Sequence, residues 1–86
     1  MGGRIANVGC DWEPIDGFSS LAEYQRFQAW MKEQISSGLA VLISVSEPYS
    51  GSSLWEESWY QCLDNDQIWR LVGPEPPFRG LFKRVR

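Results

Sequence analysis

Carboxylates and two cysteines are the side chains best suited to chemistry in this sequence, because the chain contains no histidine. Histidine is the residue that general acid–base catalysis and metal binding use most often. Cys10 and Cys62 lie far apart in the chain, unlike the close cysteine pairs of a zinc site. The sequence also lacks a glycine-rich phosphate loop and a GxSxG nucleophile elbow. The residue types therefore do not indicate an enzyme.

Two groups of carboxylates lie close together in the sequence. Glu56 and Glu57 are neighbours in a predicted strand, so their side chains point to opposite faces and cannot act as a catalytic pair. Asp11, Glu13 and Asp16 could gather on one loop, but their spacing matches no ion-binding motif. A solvated acidic loop is the favoured interpretation. We therefore predict no catalytic residue, no metal ligand and no bound cofactor.

The cysteines and the apolar runs bear on the compartment. Two cysteines do not make a disulfide scaffold, so we expect Cys10 and Cys62 to be free thiols in a reducing cytosol, with a single bridge between them as the alternative. No apolar run is long enough to span a membrane. The first residues lack the apolar core of a signal peptide. These features predict a cytoplasmic protein that has no membrane partner.

Acidic residues outnumber basic ones by eleven to eight, and the two signs are unevenly distributed. Residues 1–69 hold ten of the eleven acids, whereas residues 70–86 hold five of the eight bases. Nucleic-acid binding is disfavoured, because neutralising phosphates requires a larger basic patch. An ordinary solvated surface would explain this distribution. The alternative is an acidic face that steers a basic protein partner towards the molecule.

A single helix is the most clearly marked element. Ser20 and Glu23 form a capping box, and Gly38 suits the αL position that ends a helix, so we predict a helix over residues 21–37. Large apolar residues recur at three- and four-residue steps and should face the core. Trp30 is expected to be one of these core residues. The stripe consists of Leu21, Tyr24, Phe27, Trp30, Met31 and Ile35.

Strand patterns follow the helix. Alternating apolar residues predict strands over residues 39–46, 54–63 and 68–72, with an edge strand at 81–85. The order of these elements predicts an α+β fold, in which one N-terminal helix packs on an antiparallel sheet of three to four strands. We expect a single small domain over residues 1–86, with residues 1–11 either disordered or adding a short strand.

The hairpin between the second and third strands predicts where a partner binds. If its loop is Asn65-Asp66, Tyr60 pairs with Leu71 on an apolar face, and the opposite face is mixed. Trp, Tyr and Arg dominate interface energetics, so we predict that the mixed face and its adjoining loop bind a protein. The alternative is that the loop at residues 12–18 covers the tryptophans. The predicted contact residues are Tyr49, Trp55, Glu56, Glu57, Trp59, Gln61 and Arg70.

Three stretches resemble small bacterial immunity proteins, which neutralise polymorphic or contact-dependent toxins in the producing cell. They are Trp-Glu-Pro-Ile-Asp-Gly-Phe at 12–18, Trp-Tyr-Gln-Cys-Leu-Asp at 59–64, and Trp-Arg-Leu-Val-Gly-Pro at 69–74. The pattern is similar to Immunity protein 27. This resemblance implies a cytoplasmic, non-catalytic antitoxin, and the acidity of the chain favours a basic toxin domain as its partner. Another small protein-binding module, such as a phage-type inhibitor or an assembly subunit, is the alternative, and the sequence does not indicate an oligomeric state.

Overall fold

One helix packs on a four-stranded sheet in the computed structural model of the protein, which describes residues 10–86. Each neighbouring pair of strands is antiparallel, in the order β1-β2-β3-β4. This confirms the predicted α+β fold, although an extended segment precedes the helix. The expectation for residues 1–11 falls largely on residues 1–9, outside the described part. The elements are α1 (Leu21–Ser36), β1 (Ala40–Ile43), β2 (Glu57–Cys62), β3 (Ile68–Val72) and β4 (Leu81–Arg84).

The caps of α1 form much as its sequence predicts. Ser20 Oγ accepts a hydrogen bond from the Glu23 amide at 3.1 Å, but the Glu23 carboxylate accepts from the amide of Ser19 instead of closing the box on Ser20. At the other end Gly38 has a φ of 83°, and the Leu39 amide donates to the Gln34 carbonyl. This is the Schellman arrangement, in which a glycine takes the αL position without a Cβ clash.

The hairpin register differs from the prediction by two residues. Tyr60 pairs with Trp69, and Trp59 pairs with Arg70. The connection is longer than two residues, because the Asp66 amide donates to the Cys62 carbonyl and Asp66 has a φ of 61°. Side chains alternate with a period of two, so a two-residue shift changes the pairs and leaves the faces unchanged. The predicted division into an apolar and a mixed face is therefore right, and the predicted partners are wrong.

The main core lies between α1 and one face of the sheet. Tyr24 and Met31 of the helix are buried against Tyr60, Trp69 and other sheet residues on that face. The segment of residues 10–18, which we call the N-terminal segment, closes the β4 side of this core. The segment runs beside β4, and a pair of backbone hydrogen bonds joins Ile15 to Phe82. Trp12 and Phe18 are buried in this core, and Ile15 is partly buried against it.

Two members of the predicted helical stripe lie outside the core. Trp30 is 40% exposed and Leu21 is 60% exposed, so the prediction that both are core residues is wrong. The helix meets the core along Tyr24, Phe27, Met31 and Ile35, which are buried or partly buried. Trp30 instead rests beside the Phe27 ring, at a centroid separation of 5.5 Å.

The cysteines are joined, which contradicts the prediction of two free thiols. Cys10 and Cys62 form a disulfide with a Cα–Cα distance of 5.9 Å. The fold brings them together because β2 ends at Cys62, on the core face against which the N-terminal segment packs. Two positions that are distant in the sequence thus meet through tertiary packing. No helix in residues 10–86 has the length and apolarity needed to cross a bilayer.

Candidate partner-binding surface

The mixed face of the sheet is the predicted contact surface, and the structure covers much of it. Residues 44–56 leave the sheet after β1 and fold back over this face, which explains why β1 and β2 are shorter than predicted. The Tyr49 amide in this loop donates to Glu57 of β2 at 2.8 Å. Arg70 of β3 donates from Nη2 to the Glu47 carbonyl at 2.7 Å. The loop is therefore attached to the sheet through polar contacts.

Glu57 is the centre of these contacts. Its side chain is only 5% exposed and accepts three hydrogen bonds: from Tyr49 N, from Trp59 Nε1 at 2.8 Å and from Arg70 Nε at 3.0 Å. A buried carboxylate is tolerated when it is paired with a cation and hydrogen-bonded, as here. Glu57 was predicted as a contact residue, but its carboxylate is used inside the molecule.

Arg70 of β3 connects the loop of residues 44–56 to the sheet. Its guanidinium lies 5.4 Å from the centroid of the Trp59 ring and 5.7 Å from that of Tyr49. The delocalised charge of arginine suits such stacking while its N–H groups still reach oxygen acceptors. Its side chain is 22% exposed, so most of its bonding capacity is directed at its own protein. Arg70 is therefore mainly structural.

Trp59 cannot offer contact area to a partner, because the residue is 1% exposed. The prediction that it is a surface anchor is corrected on this point. The alternative prediction, that residues 12–18 cover the tryptophans, is right that Trp59 is covered but wrong about the segment. The guanidinium groups of Arg70 and Arg86 lie over the Trp59 ring. The indole hydrogen bond to Glu57 fixes the ring in place. Trp59 thus forms a second small buried centre on the face opposite α1.

Three aromatic rings form a cluster at the outer side of the folded-back loop. Tyr49 stacks on Phe78 with an interplanar angle of 19°, and Trp55 packs edge-on against Phe78 at a centroid distance of 4.7 Å. Trp55 and Tyr49 also meet edge to face at 5.8 Å. All three residues are half-buried, so each ring keeps an exposed portion. The proline-rich arm at residues 74–80 supplies Phe78 to this cluster.

The exposed apolar group next to the cluster is Leu54, which is 92% exposed. A groove of about 430 Å³ lies here and is lined by Leu54, Trp55, Glu75 and two serines. Ser50 and Gly51 both have positive φ values, and they turn the chain at the tip of this loop. We call the set consisting of Tyr49, Leu54, Trp55, Glu75 and Phe78 the loop surface.

The predicted contact residues thus fall into two groups, and Glu56 and Gln61 belong to neither. Tyr49 and Trp55 belong to the loop surface, where they retain exposure. Glu56 is exposed, but its carboxylate is bonded to the helix. Gln61 is half-buried and hydrogen-bonds Asp66 across the hairpin turn, at 3.3 Å. Glu57, Trp59 and Arg70 form the internal centre described above. The structure does not bring all seven residues onto one open surface.

Glu56 is exposed and fixed from the helix side. It accepts hydrogen bonds from Tyr24 Oη at 3.1 Å and Gln28 Nε2 at 3.4 Å. Burial raises the pKa of Tyr24, and the neighbouring Glu56 carboxylate raises it further, so the phenol remains a donor at neutral pH. Gly73 permits this approach, because a Cβ there would lie 2.9 Å from Tyr24 Oη.

Leu54 and Phe78 were missed as surface residues. Leu54 was assigned to the start of a strand, where its apolar character predicts burial. Phe78 stands alone among prolines and glycine, and a large aromatic residue in such a segment needs a packing partner. That isolated position was the available signal. Its partners, Tyr49 and Trp55, could not be identified from spacing.

No group of three or more histidine, cysteine or acidic side chains in residues 10–86 is placed to hold a metal ion. No protein-family model, curated protein or solved structure matches this chain. Functional inference therefore depends on the chemistry of the chain's own surface and on the sequence resemblance described above.

Proposed function

We propose that this protein is an immunity protein, an antitoxin that binds and neutralises a bacterial toxin domain without catalysis. The observation that carries the proposal is the loop surface, where Leu54 is almost fully exposed beside three partly exposed aromatic rings. Aromatic anchors beside an exposed aliphatic side chain are typical of protein-binding sites. The sequence resemblance to immunity proteins supports a toxin as the partner.

The charge around the loop surface favours a basic partner. Glu75 is exposed there and forms no ion pair within residues 10–86. Acidic groups at the edge of an apolar patch accelerate the approach of a basic protein and contribute less to the final affinity. The acidic overall charge of the chain acts in the same direction.

A different protein-binding module, such as a phage-type inhibitor or an assembly subunit, is the second candidate. Such a module would use the same surface as an immunity protein. The genomic neighbourhood distinguishes the two functions, because an immunity gene should follow a large toxin gene with a variable C-terminal domain.

A cytoplasmic location belongs to the immunity proposal, since these proteins act in the producing cell. Disulfides persist mainly in oxidising compartments. The Cys10–Cys62 bridge therefore favours a location outside the cytosol, or exposure of the protein to both a reducing and an oxidising compartment. Fractionation of the native cell, followed by thiol labelling of the chain in each fraction, tests the location directly.

Growth protection tests the proposed activity. The toxin domain encoded beside this gene is expressed with and without the protein, and the protein should restore growth. Leu54→Lys should abolish protection, because it places a basic group in the apolar surface. Leu63→Lys is the matched control, since Leu63 is also exposed, at 49%, but lies outside the loop surface. Unprotected growth with the wild-type chain, or equal loss in both variants, would contradict the proposal.

A further inference from the structure

The Cys10–Cys62 disulfide holds a segment that has few other attachments. Within residues 10–86, the backbone groups of residues 10–14 form no hydrogen bond with the rest of the chain, and the first such bonds occur at Ile15. Cys10 Sγ lies 3.5 Å from the Leu39 carbonyl, but a disulfide sulfur has no hydrogen to donate. The bridge is thus the main covalent and directional constraint on residues 10–14.

Trp12 packs the remainder of this segment against the core, but its site is imperfect. The residue is 8% exposed, and its ring meets Trp69 and Phe82 at centroid distances of 6.0 and 5.8 Å. Its Nε1 is buried and has no hydrogen-bond partner among residues 10–86. Leaving a buried donor unpaired costs free energy, which offsets part of the gain from burying the ring. The packing of Trp12 therefore attaches the segment to the core less strongly than a fully hydrogen-bonded tryptophan would. The bridge at Cys10 reinforces this attachment.

We propose that the Cys10–Cys62 bridge is a redox modification site that controls release of the N-terminal segment, with a protein or small-molecule dithiol as its substrate. When the bridge is reduced, residues 10–14 detach and Trp12 leaves the core, while the sheet and α1 stay folded. Release uncovers the rings of Trp69 and Phe82 on the core face. This inference does not depend on the proposed antitoxin activity.

The chemistry is thiol–disulfide exchange. A thiolate of the dithiol attacks Sγ of Cys10, because Cys10 is 8% exposed whereas Cys62 is fully buried. The Cys62 thiolate leaves and takes a proton, and a mixed disulfide forms on Cys10. The second thiolate of the dithiol then attacks the dithiol's first sulfur, which is bonded to Cys10 in the mixed disulfide. This step releases the Cys10 thiolate, which also takes a proton. The dithiol becomes a disulfide, and its two electrons reduce the bridge.

Hydrogen exchange measured by mass spectrometry tests this on the full chain, with dithiothreitol as the probe. We expect the Ile15 amide, which donates to the Phe82 carbonyl, to exchange roughly tenfold faster or more after reduction, because detachment of residues 10–14 lets this end of the pairing open. The amides of β2 and β3 should retain their protection. Removal of the reductant and oxidation should restore the slow exchange. A Cys10→Ser, Cys62→Ala double variant is the control, and it should behave like the reduced protein with or without dithiothreitol.

Three results would overturn the inference. One is equal exchange of the Ile15 amide in the oxidised and reduced proteins. Another is loss of protection in β2 and β3 to the same level as the segment, which would make the bridge a requirement of the whole fold. The third is a thiol count of two per chain in the protein prepared without reductant, which would mean that the bridge does not form.

Discussion

Trp59 and Trp30 carry the same side chain in opposite environments. Trp59 is 1% exposed and donates to Glu57, whereas Trp30 is 40% exposed on α1. We expect Trp59→Ala to lower the free energy of unfolding by roughly 3–5 kcal/mol, as truncation of a buried tryptophan does. Trp30→Ala should cost only about 1 kcal/mol. Urea denaturation of both variants checks the difference, and similar midpoints would contradict the assigned burial.

Glu57 stabilises the fold through the charge of a buried carboxylate. Glu57→Gln keeps the shape of the side chain but removes the charge that faces Arg70, and it places an amide donor among three donors. We expect a loss of about 2–3 kcal/mol in the free energy of unfolding. Glu47→Gln is the matched control, because Glu47 pairs with Arg86 at 3.6 Å in solvent and should contribute less than about 1 kcal/mol.

The role of Glu57 illustrates what sequence could not provide at the residue scale. Its neighbours predict a strand and its alternation predicts the face, and both are right. Its burial depends on residues 44–56 folding back over the sheet, and no periodic pattern specifies the path of that loop. Contact residues could therefore be chosen by type and face, but not by exposure.

The first turn of α1 should respond to pH through Glu23. The backbone amide of Ser19, helped by its hydroxyl, holds the pKa of Glu23 below its ordinary value of 4.5. A lowered folded-state pKa contributes stability above the unfolded-state pKa, and this contribution is lost as the pH falls through the folded-state value. Glu23→Gln should therefore destabilise the protein at neutral pH. The gap from wild type should close in melting curves recorded progressively below pH 4.5.

The elements differ in how well the sequence specified them. The helix bounds are correct to within one residue at its end, because Ser20 and Gly38 are strong local signals. The β2–β3 register is shifted, because Asp64-Asn65-Asp66 allows more than one loop length and only tertiary packing selects among them. The β3 strand, bounded by a turn and by Gly73-Pro74, was predicted with its observed limits.

At the scale of the whole molecule, the disulfide should be a major source of stability. Thiol titration of the denatured chain without reductant should detect no free thiol. Reduction removes a cross-link between residues separated by 52 positions, and the chain-entropy model predicts a loss of about 4 kcal/mol. Urea denaturation with and without dithiothreitol measures this loss. A change below about 1 kcal/mol would contradict it.

The pairing of Cys10 with Cys62 was beyond the reach of sequence reasoning for a physical reason. Two cysteines permit one bridge, but whether they meet depends on where the N-terminal segment crosses the sheet. The Ile15–Phe82 hydrogen bonds determine that crossing, and neither residue carries a signal for the other. Fold class follows from local periodicity, whereas the bridge and the loop surface follow from contacts between distant parts of the chain.

Titration calorimetry with the toxin domain encoded beside this gene tests whether the loop surface binds a toxin. We expect a stoichiometric complex in which Trp55→Ala raises the Kd by roughly 30-fold or more, because Trp55 is an aromatic anchor of the loop surface. Trp30→Ala, a partly exposed tryptophan on the helix, should change the Kd by no more than about threefold. Absence of binding by the wild-type chain, or an equal effect of both substitutions, would contradict toxin binding through the loop surface.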